Sequence, residues 1–182
     1  LGSVSGNNLV KRTVNFTATT TNRIRINVTN ALASYSRITE VEAWGVNAGP
    51  PQINVALAGN GGVASASSTY TTSGYSFAAA SINNNERAGA SWGNNSGWLD
   101  ATANAFPDWV EIDFNGSKTI DHVVVYTIQD NYTSPVEPTD SMTFGLYGIT
   151  DFTVQGWNGS AWVTLGSVSG NNLVKRTVNF TA

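Results

Sequence analysis

Apolar residues occur along this chain in short alternating runs that end at turn-forming residues. The runs VKRTVNFT and NRIRINVT alternate cleanly on either side of the polar turn 18–21. DFTVQGW and AWVTLGSV flank 158–160 (NGS), which is typical of a β-hairpin. WVEIDF (109–114) is followed by 115–116 (NG), which predicts another turn. Short strands at this spacing predict an all-β fold, an antiparallel β-sandwich of about eight strands.

Three segments depart from the clean alternation. TIDHVVVYTI (119–128) is apolar at most positions, which predicts a central strand buried on both faces. RITEVEAWG (37–45) alternates less regularly near its start, and SFAAASINNN (76–85) predicts a single helical turn. No segment has the periodicity of an amphipathic helix. The sequence therefore predicts strands joined by loops, with little helix.

The two ends of the chain carry the same sequence. Residues 1–18 (LGSVSGNNLVKRTVNFTA) recur without a substitution as residues 165–182. The segment 46–52 contains two adjacent prolines and lacks apolar periodicity, which indicates a linker. The piece before it, 1–45, offers roughly three or four strands, too few to bury a core of its own. We therefore expect residues 1–45 to complete the fold of residues 53–182.

Three stretches resemble the discoidin family, the coagulation-factor C-type domains, in an altered order. INVALAGNGGVASASSTY (53–70) resembles the start of such a domain, SINNNERAG…YTIQDN (81–131) its middle, and NRIRINVTN…EVEAWG (22–45) its end. The resemblance implies a discoidin-like jelly roll. Many bacterial members are carbohydrate-binding modules on secreted enzymes and adhesins. A complete module results when residues 53–164 are followed by one copy of the repeated segment and then by 19–45.

Two origins explain this order. The chain is either one period of a tandem array of near-identical modules or a circular permutant with a duplicated strand. The array is favoured, because a permuted design gives little reason to copy a strand at both ends. In both cases the two copies compete for one place in the sandwich. A spare strand beside a site that it fits predicts strand exchange, so copies of this chain are predicted partners.

Composition narrows the choice of other partners and of location. Charged residues make up 12% of the chain, the net charge is −3, and the nine Lys and Arg residues are scattered. The absence of a basic stripe argues against nucleic acid as a partner. No apolar run approaches the roughly 20 residues of a membrane span, which argues against membrane insertion. The uncharged polar surface and the resemblance together predict an extracellular or cell-surface protein, bacterial in origin.

Residues suited to catalysis are scarce. His122 is the single histidine, without a serine or acid motif around it, and we expect a surface histidine at a strand end. A glycosidase needs two carboxylates about 5–9 Å apart in a cleft. The acidic group near the middle of the chain comprises Asp100, Asp108, Glu111 and Asp113. Of these, Glu111 and Asp113 share one strand face, which we expect to be solvated. The sequence predicts a protein that is not an enzyme.

The loop SINNNERAG (81–89) is rich in the oxygen ligands that calcium prefers. In the sugar-binding domains that this chain resembles, main-chain carbonyls and one acid of this loop bind calcium together with a glutamate of the last strand. The resemblance therefore implies a structural Ca²⁺ site at Ile82, Asn84, Glu86, Thr39 and Glu40. Glu86 stands where the family usually has aspartate, so its arm is one methylene longer. The alternative is an Asn-rich turn hydrogen-bonded to its own backbone.

Loop aromatics and polar residues predict a sugar-binding face. An aromatic ring offers a platform for the C–H face of a pyranose, and amides, carboxylates or arginine bind its hydroxyls. The predicted ligand-binding residues are Trp92, Trp98, Asp100, Tyr132, Tyr35 and Arg37. The alternative for each loop aromatic is burial beneath its own loop. The tryptophans in strand patterns are expected to be packing residues: Trp109, Trp157 and Trp162.

The predicted function is a non-catalytic, extracellular carbohydrate-binding or adhesion module, repeated in tandem, whose partner is a glycan or cell-surface polysaccharide. The alternative is a structural repeat of a surface fibre or adhesin stalk that assembles by strand complementation. Four Asn-x-Ser/Thr sequons are predicted glycosylation sites, at Asn15, Asn27, Asn94 and Asn131.

Overall fold

The computed structural model describes residues 2–46 and 52–181. The predicted linker 46–52 is therefore mostly outside the described residues. The strands are β1 (Gly2–Ala31), β2 (Arg37–Val46), β3 (Ile53–Asn54), β4 (Val63–Ala66), β5 (Thr71–Thr72), β6 (Tyr75–Ser76), β7 (Trp98–Leu99), β8 (Asp108–Thr127), β9 (Ile149–Trp157) and β10 (Trp162–Thr181). Short 3-10 turns cover Leu32–Ser34, Ala58–Asn60 and Ala79–Asn83. Within the described residues, none of these turns is a candidate for crossing a membrane.

Most of the strands belong to one large sheet. Its order is β1-β9-β10-β8-β2-β3, with β4 added beside β8 and β7 beside β2, while β5 and β6 form a separate hairpin. The ladders between different sequences are antiparallel, including β9 with β10 at the predicted 158–160 turn. The predicted all-β antiparallel sandwich is confirmed. The one predicted helical turn lies at Ala79–Asn83, inside 76–85.

The predicted turn at 115–116 does not end a strand. β8 continues through it, because β1 pairs with β8 on both sides: Thr21 lies opposite Lys118, and Arg23 lies opposite Asp113. A single residue of β1 therefore faces the stretch 114–117 of β8, which is a bulge. Gly116 has a φ of 76° there, and bulges of this kind bend a strand and increase its twist.

Alternating side chains build a single main core. Ile24, Ile26 and Val28 of β1 are buried with Phe152 and Val154 of β9. Every residue from 123 to 129 is buried, which confirms that this part of β8 is a central strand. Residues 37–45 complete the sheet, since β2 pairs with β8 from Ile38 to Val46. The described parts of 1–45 and 53–182 are thus interleaved in one fold, and the exact domain bounds stay a prediction.

The two identical segments take the same position in the sheet, which we call the strand slot. In the first copy, Lys11 to Asn15 pair with Tyr126 to His122 of β8. In the second copy, Lys175 to Asn179 pair with the same residues in the same register. Because two segments cannot fill one volume, at most one copy can pair with this stretch of β8 at a time.

Candidate functional site

A cavity of about 340 Å³ opens beside the termini of three strands. Arg37 is the first residue of β2, Leu99 is the last of β7, and Ile128 directly follows β8. The walls are mostly aromatic and carry one cation. The lining residues are Arg37, Tyr75, Phe77, Trp92, Leu99, Ile128, Tyr132 and Tyr147. We call this space the aromatic cavity.

Pairwise ring contacts hold the cavity walls in place. Tyr132 and Tyr147 meet edge to face with ring centroids 5.7 Å apart. On the other side Phe77 lies 5.3 Å from Trp92 and 6.3 Å from the stacked ring of Tyr75, again between centroids. Tyr75 remains 62% exposed and Tyr132 remains 39% exposed. Supported rings with free faces are suited to stacking against an apolar surface of a ligand.

Backbone geometry sets the position of Tyr75. The β5–β6 hairpin is tied to the loop after Trp92, because the Ser76 amide donates to the Gly93 carbonyl at 2.7 Å. Gly93 has a φ of 85°, and a Cβ at this position would lie 2.6 Å from Cδ1 of Tyr75. Glycine is therefore required here both for the backbone conformation and for the close approach of the ring.

Arg37 supplies the positive charge of the cavity. Its Nη1 donates to the carbonyls of Leu32 and Tyr35 at 3.3 and 3.0 Å, and its Nη2 donates to Ala33 at 3.4 Å. Its guanidinium carbon lies 5.3 Å from the ring centroid of Tyr35 and 5.6 Å from that of Tyr147. These three bonds leave two of its five N–H donors for a ligand. Burial lowers the pKa of Arg37, and Asp100 partly offsets this effect.

No carboxylate of the described residues forms an ion pair with Arg37. Asp100, which influences its pKa, instead accepts hydrogen bonds from the backbone amides of Ser36 and Thr102. Arg37 is thus a half-buried cation among aromatic rings whose remaining donors can bind hydroxyl or carboxylate oxygens.

The structure brings together some of the predicted ligand-binding residues. Trp92, Tyr132 and Arg37 line the aromatic cavity, and Tyr35 lies behind Arg37. Trp98 is fully buried, and its Nε1 donates to the Ser68 carbonyl at 2.7 Å. The prediction that Trp98 contacts ligand is therefore corrected, because its ring is part of the core.

Asp100 needs the same correction as Trp98. Its side chain is fully buried and occupied with backbone amides, so it supports the turn before β2 and does not contact ligand. Sequence reasoning missed Tyr75, which begins the two-residue strand β6, and Phe77 and Tyr147, which lie in loops. None of the three is in a segment with a clear strand or helix pattern. The feature of the sequence that could have located Tyr75 and Phe77 is the turn around Gly74, which places both rings beside Trp92.

The acidic group is not a solvated face. Asp108 is 3% exposed, and its carboxylate accepts a hydrogen bond from the Ser36 hydroxyl at 3.0 Å. Glu111 is 8% exposed and forms ion pairs with Arg25 at 2.7 Å and with Arg23 at 3.3 Å. These carboxylates are buried beside hydrogen-bond donors or arginines, whereas Asp113 is partly exposed. The prediction of a solvated face is therefore wrong for Glu111.

The predicted packing tryptophans lie on the outer face of the sheet. The guanidinium of Arg25 lies between two indole rings, 4.4 Å from the centroid of Trp109 and 4.1 Å from that of Trp162. Trp157 packs edge to face on Trp162 at 5.5 Å. All three are half-buried. None of them lines the aromatic cavity.

His122 lies inside β8 and not at a strand end, which corrects that expectation. Its ring stacks on Trp44 with centroids 5.7 Å apart, and its Nδ1 lies 2.6 Å from Asp121 Oδ1. Burial lowers the pKa of His122. It does not line the aromatic cavity.

Glu40 and Glu42 lie two positions apart on β2 but differ in their hydrogen-bond partners. Glu42 accepts hydrogen bonds from the Tyr126 hydroxyl at 2.9 Å and from Arg87 at 3.3 Å. Glu40 is fully buried, and neither of its carboxylate oxygens has a hydrogen-bond partner in the described part of the chain. Burial, reinforced by Glu42, raises the pKa of Glu40 to about 10. The amide of Asn85 faces Glu40 outside hydrogen-bond geometry and offsets this only in part.

The other residues of the predicted calcium site are arranged around loop 81–89. The Glu86 carboxylate accepts hydrogen bonds from the amides of residues 88–90, at 3.0 to 3.2 Å. The Asn84 carbonyl oxygen of the side chain accepts from the Glu86 amide at 2.8 Å. Thr39 and Ile82 are buried. The predicted alternative, a turn bonded to its own backbone, thus describes Asn84 and Glu86, whereas the unpartnered Glu40 fits a bound cation.

Across residues 2–46 and 52–181, no group of three or more His, Cys, Asp or Glu side chains is arranged to hold a metal ion. A cation beside Glu40 would therefore need main-chain oxygens for most of its ligands, which calcium accepts. Of the predicted sequons, Asn15, Asn94 and Asn131 are exposed and Asn27 is half-buried. Their glycosylation stays a prediction.

Comparison with known proteins gives one assignment. A family model described as "NedA-like, galactose-binding domain" matches residues 82–182, more than half of the chain. No curated protein and no solved structure gives a significant match. The matched region contains β7 to β10 and the cavity residues Trp92, Tyr132 and Tyr147. With the antiparallel sandwich described above, this match shows that the chain belongs to the family of NedA-like, discoidin-type galactose-binding domains.

Proposed function

We propose that this chain is a non-catalytic carbohydrate-binding module and that the aromatic cavity is its sugar site. The family assignment supports carbohydrate as the ligand class. The cavity volume of about 340 Å³ lies near the lower end of the range of ligand pockets, about 300–1,000 Å³, which suits one or two sugar rings. An extracellular location and tandem repetition belong to the same proposal, since repetition multiplies weak sites into avidity.

The observation that carries this proposal is a cation, Arg37, that has no carboxylate partner among the described residues and is enclosed by aromatic rings. Trp92 and Tyr132 offer flat apolar surfaces for the C–H groups of a pyranose. The two N–H donors that Arg37 retains can bind adjacent sugar hydroxyls. This pairing matches both kinds of surface that a sugar presents.

Replacement of Trp92 tests the sugar site. We expect Trp92→Ala to weaken binding of galactose-terminated glycans by about tenfold or more, because a central aromatic contact contributes about 2 kcal/mol at a binding hot spot. Titration calorimetry with galactose and lactose, preceded by a glycan array, measures the effect. The matched control is Trp109→Ala, which removes an indole from the outer face, and which we expect to leave the affinity unchanged.

Two results would contradict the proposed site. One is wild-type affinity in the Trp92→Ala protein with an unchanged circular-dichroism spectrum. The other is equal loss in the Trp92→Ala and Trp109→Ala proteins, which would indicate a general effect on the fold.

We also propose that Ca²⁺ binds beside Glu40 and stabilises the fold. The support is a buried carboxylate that has no hydrogen-bond partner within 2–46 and 52–181, since such a group needs either a proton or a cation. Glu40 would hold the ion together with main-chain oxygens of Thr39, Ile82 and Asn84. When bound, calcium would neutralise the buried charge and tie β2 to loop 81–89. Glu86, whose carboxylate already accepts three amides, would act on the ion from a distance.

Thermal unfolding with calcium or with EDTA tests this site. At 100 times its Kd, a ligand stabilises the folded state by about 2.7 kcal/mol. For a chain of this size, we expect a rise in Tm of about 5–10 °C. Glu40→Gln removes the charge that the ion would neutralise, so its Tm should not respond to calcium and should exceed that of the wild type in EDTA. Glu137→Gln, an exposed change, is the control. Equal responses of wild type and Glu40→Gln would refute the site.

A further inference from the structure

We propose that the aromatic cavity selects sugars that carry a carboxylate group and that Arg37 is the residue responsible for this selection. Arg37 would act within the proposed sugar site, so this selection rests on the proposed function and specifies the class of sugar bound. The basis is the chemistry of the cavity wall. Among the described residues that line it there is one cation, and there is no carboxylate and no carboxamide.

Arg37 differs from the other arginines outside the repeated segment in its lack of a counter-ion. Arg23, Arg25 and Arg87 each form ion pairs with glutamates, at nitrogen–oxygen distances of 2.7 to 3.3 Å. Within 2–46 and 52–181, Arg37 forms no such pair, although it is half-buried. Because burial of an uncompensated charge is unfavourable, a bound carboxylate would stabilise Arg37 where it lies.

The acids nearest to the cavity in sequence are hydrogen-bonded to the backbone. Asp100 follows the lining residue Leu99, and Asp130 lies between Ile128 and Tyr132 in the chain. Both oxygens of Asp100 accept hydrogen bonds from backbone amides, and so do both oxygens of Asp130, at 2.7 and 3.0 Å. Neither side chain lines the cavity, so the described wall keeps its positive charge and offers no acidic acceptor to a sugar hydroxyl.

The donors that remain on Arg37 match the two oxygens of one carboxylate. Its hydrogen bonds to loop carbonyls use both N–H groups of Nη1 and one of Nη2, and Nε has no acceptor among the described residues. Nε and Nη2 lie on the same edge of the guanidinium, where two N–H donors can bind a carboxylate bidentately. A hydroxyl has one oxygen and also brings a proton, for which the described wall has only tyrosine hydroxyls as side-chain acceptors.

The rings around Arg37 favour the same class of ligand. Aromatic walls exclude water, and an ion pair formed in such surroundings is stronger than one in bulk water. The same rings would pack on the C–H face of the sugar. A carboxylate attached to a sugar ring would therefore use both the charge and the apolar surface of the cavity.

A matched pair of ligands tests the selection in the unmodified protein. Methyl galactoside and methyl galacturonide of the same anomeric form differ in one group, a hydroxymethyl in the first and a carboxylate in the second. By titration calorimetry at low salt, we expect the galacturonide to bind more tightly by about tenfold or more, because charge-assisted hydrogen bonds are roughly twice as strong as neutral ones. This ratio should fall as sodium chloride is added, since salt screens the ion pair.

Two variants assign the selection to Arg37. Arg37→Gln keeps a polar side chain but removes the charge, so the two sugars should bind to it with nearly equal affinity. Trp92→Ala, the matched control, should weaken the binding of both sugars by the same factor and keep their affinity ratio. Circular dichroism checks that each variant is folded.

The outcomes separate this selection from the sugar site itself. Equal affinities of the wild-type protein for the two sugars, or tighter binding of the galactoside, would overturn the selection and leave the sugar site intact. Binding of neither sugar would overturn both. A folded Arg37→Gln protein that still prefers the galacturonide would overturn the role of Arg37. If this variant does not fold, the affinity ratio of the wild-type protein and its salt dependence decide.

Discussion

A chain that carries both Val14→Asp and Val178→Asp should lose about 4 kcal/mol or more of its free energy of unfolding, while either change alone should cost little. Both valines are buried, and both lie opposite Val123 of β8. A carboxylate at this position would be buried without a partner, one of the few changes that destabilise a protein so strongly.

The single changes are mild because the other copy still fills the slot. If both copies occupy it equally in the wild type, removal of one costs RT ln 2, about 0.4 kcal/mol. The two changes lie far apart in the chain but share one place in the fold. Their effects should therefore be strongly non-additive, which is diagnostic of direct coupling.

Urea unfolding of the four proteins (wild type, two single variants and the double variant) gives this coupling energy directly. A matched pair of conservative changes, Val14→Ile and Val178→Ile, controls for general tolerance of the site. Additive costs in the two single aspartate variants would show that each copy has a place of its own. A large cost in only one of them would show that a single copy occupies the slot.

Trp98→Ala should destabilise the fold by about 3–5 kcal/mol, which is the usual cost of removing a fully buried indole. Trp98 has no exposed surface and belongs to the main core. The truncation also leaves the Ser68 carbonyl without its donor, which adds to the cost. Trp98 lies outside both copies of the repeated segment, so neither copy can replace the contacts that are lost.

Chemical denaturation of Trp98→Ala and Trp98→Phe separates the contributions. Phenylalanine keeps most of the buried ring but not the Nε1 hydrogen bond, so its cost should be about half as large. A free energy of unfolding close to wild type for Trp98→Ala, combined with loss of sugar binding, would restore Trp98 as a ligand contact. Loss of stability with normal glycan affinity at low temperature is the expected result.

The sheet could be predicted from sequence because alternation determines which side chains are buried. Ile24, Ile26 and Val28 alternate with polar residues and lie in the core as expected. The bulge at 115–116 could not be predicted, since Asn-Gly has the same local preference in a hairpin and in a strand that bends. Only the pairing of β1 on both sides, a long-range contact, distinguishes the two cases.

The candidate site could be predicted only in part, because burial of a loop residue depends on what packs over it. Trp92 and Trp98 are six positions apart in the same loop region, yet Trp92 lines the cavity and Trp98 is in the core. Likewise, Glu40 and Glu42 look equivalent in sequence. They differ because Tyr126 and Arg87, distant in the chain, bond to only one of them.

Arg37 and Glu40 lie three residues apart at the start of β2, on the segment 1–45. Trp92, Tyr132 and loop 81–89 belong to the segment 53–182. Each candidate site is thus completed only when the two segments are together. A bound sugar or cation would hold the two segments together, because separating the segments would also require the free energy of releasing that ligand. A module with both ligands bound should therefore need more force to pull its two segments apart than a module without them.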